Sequence, residues 1–204
     1  MVKQKEPSKG ERTRKTILDS AYGLITEQGY AATSMRQIAE KAGLSLGSIY
    51  NHFPSKQDVF KAIVLERHPM IQIIPLLGSI QGRTVDEFVQ NAAHALIKQL
   101  GRHQPELINL MLTEIVEFKG AHMPLVFEKM VPRMLQVAER LSQLDGELRP
   151  IPRPIMLRAF AGTFLFYYVT ESLLGPAMPP EMRANALDHF VDIYLHGILV
   201  KETA

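Results

Sequence analysis

The 204-residue sequence contains no cysteine and no long run of apolar residues. Without cysteine, the chain cannot form a disulfide framework, a thiolate metal site or a cysteine nucleophile. Its longest nearly unbroken apolar stretch, residues 159–169, includes Gly162 and Thr163 and is far shorter than the roughly 18 residues that a membrane helix needs. The polar residues 1–15 lack the apolar segment of a secretory signal. These absences favour a soluble cytoplasmic protein that has no membrane partner.

Neither sign of charge is in large excess, since the formal net charge is only +2, but the charges are distributed unevenly along the chain. Residues 1–68 carry 11 basic and 7 acidic side chains, whereas residues 69–204 carry 12 basic and 14 acidic ones. A basic first third followed by an acidic remainder is typical of a small polyanion-binding module joined to a different kind of domain. The alternative is that the basic excess belongs to a solvated, partly disordered N-terminal tail.

Capping signals and apolar residues at helical spacing recur along the chain, and strand-like alternation is almost absent. An all-α fold is therefore predicted. Helices are expected over about 8–28, 34–42, 45–53, 55–67, 84–97, 105–118, 124–144, 154–174 and 180–200, with Pro132 kinking or dividing one of them. Residues 68–83 and 145–154, which are rich in proline and glycine, are expected to be irregular.

The short second and third helices carry the strongest functional signal. They meet at Gly43, and Ser45 can cap a third helix in which Ile49 and Phe53 lie one turn apart. If those two side chains point inward, the remaining residues of the helix face outward, although glycine, serine and asparagine are poor helix formers. Such a surface suits a helix-turn-helix, in which Asn51 can hydrogen-bond base edges or phosphate.

The run from Arg12 to about Arg67 resembles the DNA-binding domain of TetR-type transcriptional regulators. The matching positions include Gly29-Tyr30, Thr33-Ser34-Met35, Ile38-Ala39, Ala42-Gly43-Leu44-Ser45, Gly47-Ser48-Ile49-Tyr50-Asn51-His52-Phe53 and Ser55-Lys56. The resemblance implies a three-helix DNA-binding head, a linking helix, and a larger helical domain that binds a ligand and dimerises through its last two helices. The expected divisions are a tail over 1–10, a DNA-binding domain over 11–67 with its linking helix at 55–67, and a ligand-binding and dimerisation domain over 68–204.

The same resemblance assigns roles to individual positions of the head. It implies that the phosphate backbone is held by Thr33, Ser45, Tyr50, His52 and Lys56, and that bases are faced by Gly47, Ser48 and Asn51. Ser34 and Arg36 complete the expected DNA-binding set. Leu46 departs from the pattern, because many members have a basic residue there. It indicates either a contact with a thymine methyl group or one phosphate contact fewer, and both readings stay open.

Enzymatic alternatives find little support in the sequence. Residues 43–47 read G-x-S-x-G, but the nucleophile elbow of a serine hydrolase needs a strand before it, and residues 37–42 have helical spacing. His189 and His196 lie seven residues apart with Asp192 between them, which is more typical of an exposed or interface pair than of a metal site. The sequence therefore predicts no enzyme, no metal and no cofactor.

Two further sites are expected in the C-terminal two thirds. Apolar, aromatic and methionine side chains on the middle helices predict a mostly apolar ligand pocket that includes Met111, Glu114, Phe118, Phe127, Met130, Met134, Phe160, Phe164 and Tyr168. The helix over 155–174 is apolar nearly all the way round, so it needs a partner on each side. A homodimer interface is expected to include Phe166, Tyr167, Leu173, Leu187, Phe190, Val191, Tyr194 and Ile198.

These observations together predict a ligand-responsive DNA-binding regulator. The expected mechanism is a repressor that a small apolar or aromatic effector of unknown identity releases from a near-palindromic double-stranded operator. The alternative is a regulator of the same fold that has no small-molecule effector and uses its C-terminal domain only for dimerisation or protein partners.

Overall fold

The computed structural model describes residues 8–101 and 106–199, without the side chains of residues 69, 70, 72–74, 106 and 107. The described residues form eleven α-helices, a 3₁₀ turn at Gly175–Ala177 and only isolated β-bridges, so the prediction of an all-α fold is confirmed. The helices are α1 Lys9–Gln28, α2 Met35–Ala42, α3 Leu46–His52, α4 Lys56–Arg67, α5 Pro69–Ser79, α6 Val85–Gly101, α7 Glu106–Val116, α8 Met123–Leu141, α9 Arg153–Leu174, α10 Pro180–Arg183 and α11 Ala186–Ile198.

The first four helices begin where the capping residues of the sequence predict. Ser8 and Ser34 both take part in complete capping boxes, in which the serine Oγ accepts the backbone N–H three residues on and that residue's side chain accepts the serine N–H. Ser45 and Ser55 cap α3 and α4 by accepting the N–H of Ser48 and Asp58. These local bonds satisfy the first N–H groups of the helices, of which α2 and α3 are too short to be stable alone.

Two predicted boundaries are wrong. Residues 68–83 contain helix α5, because Pro69 occupies a first-turn position where its missing N–H costs nothing, and the helix tolerates Pro75 inside it. The helix expected over 180–200 is divided into α10 and α11 by Asn185, which takes a left-handed conformation that asparagine adopts more readily than most residues. Helix α8 is continuous through Pro132. Pro105, the expected start of α7, lies outside the described residues.

The chain forms two compact units that are not consecutive in sequence. The first consists of residues 1–68 together with 109–125, and the second of residues 69–108 together with 126–204. The contacts therefore divide the chain differently from the expected linear boundary after residue 67. Helix α8 begins in the first unit and most of its length belongs to the second.

The core of the first unit contains a cluster of aromatic rings. Phe118 stacks on Phe60 with ring centroids 4.5 Å apart, and the edge of Tyr30 meets both rings at about 5 Å. His122 lies against Phe118, with centroids 5.0 Å apart. Phe60 is fully buried, so residues 109–125 provide part of the core that covers the head.

A buried ionisable group lies beside these rings. The Glu114 carboxylate is only 2% exposed and accepts both the backbone N–H and the ring Nδ1 of His122, each at 2.8 Å. Without such partners, burying a carboxylate would destabilise the fold by several kcal/mol, and these two bonds offset that cost. The arrangement explains why an acidic residue is retained in the interior of this unit.

The second unit packs α6, α9 and α11 around apolar side chains. Phe88, Leu96, Phe164 and Leu195 are all buried, and the Tyr194 hydroxyl donates to the carbonyl oxygen of Met156 at 2.8 Å. No helix in the described ranges combines the length and apolarity that a bilayer crossing requires.

We expect stability to depend on His68, which is 6% exposed. Burial lowers its pKa to about 4, although nearby Glu114 opposes the shift. Since the folded pKa lies below the unfolded value of about 6.5, the unfolded chain binds a proton first as the pH falls. The free energy of unfolding should therefore decrease between about pH 6.5 and 4, with a slope of at most about 1.4 kcal/mol per pH unit from this group.

Denaturant unfolding of the wild type, His68→Gln and the exposed-site control His189→Gln at several pH values measures this contribution. His68→Gln should flatten the slope between pH 6.5 and 5, whereas His189→Gln should retain it. Equal slopes in all three proteins would contradict the assignment.

Candidate nucleic-acid interface

Helices α2 and α3 form a helix-turn-helix through a turn that the sequence specifies residue by residue. Gly43 ends α2 in a left-handed conformation with φ 64°, which few residues other than glycine adopt without strain. Its N–H donates to Glu40 O, and the N–H of Leu44 donates to Ala39 O at 3.0 Å. Ser45 then caps α3, so three residues reverse the chain between the two helices.

The Ser45 hydroxyl therefore caps a helix and does not occupy a nucleophile elbow. In the described part of the chain, the segment before it is helix α2, whereas a serine hydrolase would have a strand there.

Two buried side chains set the orientation of α3. Ile49 is 0% and Phe53 5% exposed, which confirms that these residues point inward. The guanidinium of Arg14 lies 5.3 Å from the centre of the Phe53 ring and extends this contact to α1. Ile49 lies within this seven-residue helix and Phe53 directly follows it, one turn further on. Because both side chains are buried, the opposite face of the helix points to solvent.

The outward face of α3 consists mainly of small and polar side chains, and Leu46 and Tyr50 are its large exposed residues. Leu46 is 40% and Tyr50 49% exposed, Gly47 and Asn51 are exposed, and Ser48 and His52 are half-buried. A Cβ placed on Gly47 would meet no other atom within 4 Å. The fold itself therefore does not require a glycine there, although glycine costs about 1 kcal/mol relative to alanine inside a helix.

The structure contradicts the expected phosphate contact of the Thr33 side chain. Thr33 is only 2% exposed, and its hydroxyl donates to Gly29 O at 2.9 Å. It stabilises the turn between α1 and α2 and cannot present its oxygen to a ligand at the surface.

Lys56 likewise bonds within the head. Its ammonium donates to the carbonyl oxygens of Tyr30 and Thr33 at 2.8 and 2.7 Å, lies 3.5 Å from that of Ala31, and sits 4.2 Å from the centre of the Tyr30 ring. Burial lowers the pKa of Lys56, and the carboxylate of Glu117 opposes that shift. An ammonium has three N–H donors, so these bonds give Lys56 a structural role within the head, and its predicted phosphate contact stays a prediction.

The other expected DNA-binding residues of the head are accessible. In its capping box, the Ser34 hydroxyl accepts the Gln37 N–H and donates to Gln37 Oε1. The Ser45 hydroxyl accepts the Ser48 N–H. Arg36 pairs with Glu40 at 3.3 Å, with both side chains largely exposed. Exposed pairs of this kind contribute little stability, so Arg36 can exchange its partner at small cost.

The second unit contains a cavity of about 550 Å³ that brings together some of the expected ligand residues. Phe127, Met130, Met134 and Phe160 line it. The sequence interpretation missed the other lining residues, which are Leu77, Leu96, Val137, Pro154, Ile155, Leu157, Arg158, Ala161 and Leu165. Those between residues 154 and 165 belong to α9, but the sequence does not show which side of that helix faces a cavity.

Five expected ligand residues do not line this cavity. Met111, Glu114 and Phe118 belong to the first unit, where Glu114 bonds His122 and Phe118 stacks on Phe60. Phe164 and Tyr168 are 0% and 2% exposed and fill the core. The sequence brought them together with the lining residues because an apolar or methionine-rich pattern does not distinguish a packed interior from a cavity.

The expected dimer residues also separate into two groups. Phe166, Leu173 and Phe190 are exposed, and Tyr167 and Leu187 are half-buried, with the Tyr167 and Phe190 rings 5.0 Å apart. Val191, Tyr194 and Ile198 are buried within the chain itself, so their assignment to an exposed interface is wrong. Burial also raises the pKa of Tyr194, whose hydroxyl is bonded to Met156. The sequence interpretation missed Ile193, which is 69% exposed on α11.

No three His, Asp or Glu side chains come together as candidate metal ligands among the described residues. His196 instead lies near Asp192 on its own helix, with its Nδ1 2.9 Å from the Asp192 carbonyl oxygen.

The head matches a known family over the helices described above. Residues 17–63 match the model of bacterial regulatory proteins of the tetR family. The HTH-type transcriptional regulator YvkB of Bacillus subtilis, itself uncharacterised, is 24% identical over 199 residues, which cover 91% of this chain and 97% of the relative.

Solved structures match over nearly the whole chain. SmeT, the repressor of a Stenotrophomonas maltophilia multidrug efflux pump, is 25% identical with a TM-score of 0.64, covering 95% of this chain and 94% of its own. The complex of SmeT with triclosan is 24% identical with a TM-score of 0.63, covering 93% of each chain. The matched helix-turn-helix and the agreement of fold beyond it lead to one conclusion: residues 17–63 are similar to the bacterial regulatory proteins of the tetR family, and nearly the whole chain shares the fold of SmeT.

Proposed function

We propose that this protein is a homodimeric transcriptional repressor that a small, mostly apolar effector releases from a near-palindromic operator. The observation that carries the DNA-binding part is the anchoring of α3 by Ile49 and Phe53, with a small polar surface on its opposite side. We further propose that residues 11–67 form the DNA-binding domain and that residues 68–204 supply ligand binding and dimerisation.

On the proposed interface, α3 enters the major groove. Gly47 permits close approach, and Ser48 and Asn51 face base edges, since an asparagine amide can bond adenine in a bidentate manner. Ser45, Tyr50 and His52 bond phosphate oxygens, with Ser34 and Arg36 at the start of α2 as further contacts. The exposure of Leu46 supports an apolar contact with a thymine methyl group.

The dimer is supported by the apolar side chains that one chain leaves in water. Phe166 and Leu173 on α9 and Phe190 and Ile193 on α11 are between 36% and 69% exposed. Large apolar side chains exposed on two helices that pack together are typical of a protein interface, and a second copy is the occupant that we propose. Two recognition helices would then read half-sites about 34 Å apart.

An effector mechanism is supported by the cavity and by the path of α8. Met130 and Met134 on α8 line the cavity, and the same helix begins at Met123 in the first unit, next to His122, which bonds Glu114. A ligand that binds one position of α8 better than another would bias the first unit by its differential affinity, typically about 1–3 kcal/mol. SmeT, which has been solved with triclosan, offers a precedent for an apolar effector.

The decisive experiment starts from DNA that the protein itself selects. Fragments retained from a random pool should share a near-palindromic site, and apolar compounds that raise the melting temperature should release that site. Selection without a common site would overturn the DNA-binding proposal. Compounds that bind without changing operator affinity would overturn only the effector part.

Asn51→Ala should reduce operator discrimination by about 1–3 kcal/mol, because the amide contacts a base edge. Binding to unrelated DNA should change little. Fluorescence anisotropy with the selected operator and a scrambled duplex measures both affinities, and Gln90→Ala, an exposed substitution in the second unit, is the matched control. An equal loss on both duplexes would assign Asn51 to phosphate instead.

Lys56→Met should destabilise the head by about 1–3 kcal/mol, because the carbonyl oxygens of Tyr30 and Thr33 lose their donor. The slope of log K against log salt should change by clearly less than the roughly 0.9 expected for one lost phosphate contact. Thermal unfolding and salt titrations of Lys56→Met and of the exposed control Lys61→Met separate the two effects. A full unit of slope lost at unchanged stability would restore the phosphate role.

Ile193→Glu should convert the dimer into a 23.0 kDa monomer, because a two-fold interface would bury two new carboxylates close together. Sedimentation velocity at micromolar concentration measures the species. Val116→Glu, which changes a 70% exposed residue of the first unit, should remain dimeric. A wild-type protein that sediments only as the monomer would refute the interface.

A further inference from the structure

The cavity of the second unit has a strongly one-sided chemistry. Among the described residues that line it, twelve are apolar and Arg158 is the one charged side chain. Phe127 and Ile155, two of the lining residues, are 58% and 50% exposed, so apolar surface continues to the solvent side of the cavity. A ligand with an extended apolar body can therefore cover surface that the chain leaves in water.

Arg158 is a cation without a counter-ion in this region. Its side chain forms no ion pair or hydrogen bond with any residue that the structure describes, and it is exposed. A guanidinium remains charged at every physiological pH. The apolar cavity thus has one permanent positive charge available at its edge.

A smaller cavity of about 310 Å³ adjoins the first, and the arginines that line it add further positive charge. Val137 lines both, and the smaller one is also lined by Arg133, Gln136 and Arg140 of α8. Arg140 is partly engaged, since it donates to Gly78 O at 2.8 Å and lies over the Phe88 ring. The described residues that line the two cavities include three arginines and no acidic side chain.

This charge pattern discriminates between classes of ligand. A cationic apolar compound would be repelled by three guanidinium groups and would find no carboxylate to pair with. A neutral compound would gain apolar contacts only. An organic anion gains both those contacts and a charge-assisted hydrogen bond, and a planar carboxylate matches the two parallel N–H donors of a guanidinium.

We propose that the effector cavity binds an organic anion with a long apolar body, whose carboxylate pairs with Arg158 while the body fills the space between α8 and α9. This inference rests on the proposed effector function and adds the ligand class and the residue that selects it. The two methionines on α8, Met130 and Met134, allow the apolar part to vary in shape, because their side chains are unbranched and adaptable.

The test compares four probes of the same chain length on the full-length protein: decanoate, decyl phosphate, decan-1-ol and decylamine. Isothermal titration calorimetry should give decanoate an affinity about 3- to 5-fold above that of decan-1-ol, because an ion pair with an exposed arginine contributes only modestly. Decylamine should bind more weakly than the alcohol. Tighter binding of decyl phosphate than of decanoate would overturn the choice of a carboxylate.

Substitutions test which arginine pairs with the carboxylate of decanoate. Arg158→Gln should abolish the preference for decanoate over decan-1-ol and leave the binding of the alcohol nearly unchanged. Arg83→Gln removes an exposed arginine of the same unit that lines neither cavity, and it should retain the preference. If Arg158→Gln keeps the preference and Arg133→Gln loses it, the head group lies in the smaller cavity and the assignment to Arg158 is wrong.

The outcomes separate this inference from the proposed function. Equal affinity for acid and alcohol would refute the anionic class and leave an apolar effector standing. Binding of none of the probes to a protein that still footprints its selected operator would refute the ligand class without affecting DNA binding. Loss of operator binding on addition of decanoate, but not in Arg158→Gln, would support both.

Discussion

The burial of Ile49 and Phe53 is the constraint on which the functional surface depends. A seven-residue helix has little stability of its own, so tertiary contacts decide where it lies. Those two side chains contribute a few kcal/mol of apolar burial, and they also fix the rotation of α3 about its axis. The cap that Ser45 provides and the left-handed conformation of Gly43 fix the direction of α3 relative to α2. Asn51 and Ser48 can present a defined pattern of hydrogen-bonding groups only because the opposite side of the helix is held in this way.

Most of the head could be predicted from sequence because its information is local. Ser8, Ser34, Ser45 and Ser55 each cap the helix that follows them, and Gly43 ends a helix through its own backbone conformation. A cap involves residues three apart, and a stripe of apolar residues involves one turn, so both are readable without knowledge of the rest of the chain. The accessibility of α3 followed from the same reasoning.

The errors arise where distant segments meet. Nothing in the sequence near Lys56 shows that its ammonium bonds carbonyl groups 23 to 26 residues earlier, and nothing near Glu114 shows that a histidine bonds it in the interior. Likewise, Tyr194 and Ile193 are neighbours on one amphipathic helix, but only packing against α9 decides which of them is buried. Helical periodicity establishes that a face exists, whereas tertiary contacts determine what lies on it. The cavity was only partly predicted for the same reason.

The interleaving of residues 109–125 with the first 68 residues has a practical consequence for domain dissection. Phe118 stacks on Phe60 and His122 bonds Glu114, so a fragment that ends after His68 would expose the Phe60 ring to water and lack its natural cover. Recombinant heads cut at the end of α4 would be prone to aggregate. A soluble minimal head would instead require the distant segment to be grafted back through a linker, because the compact unit that contains the helix-turn-helix is discontinuous in sequence.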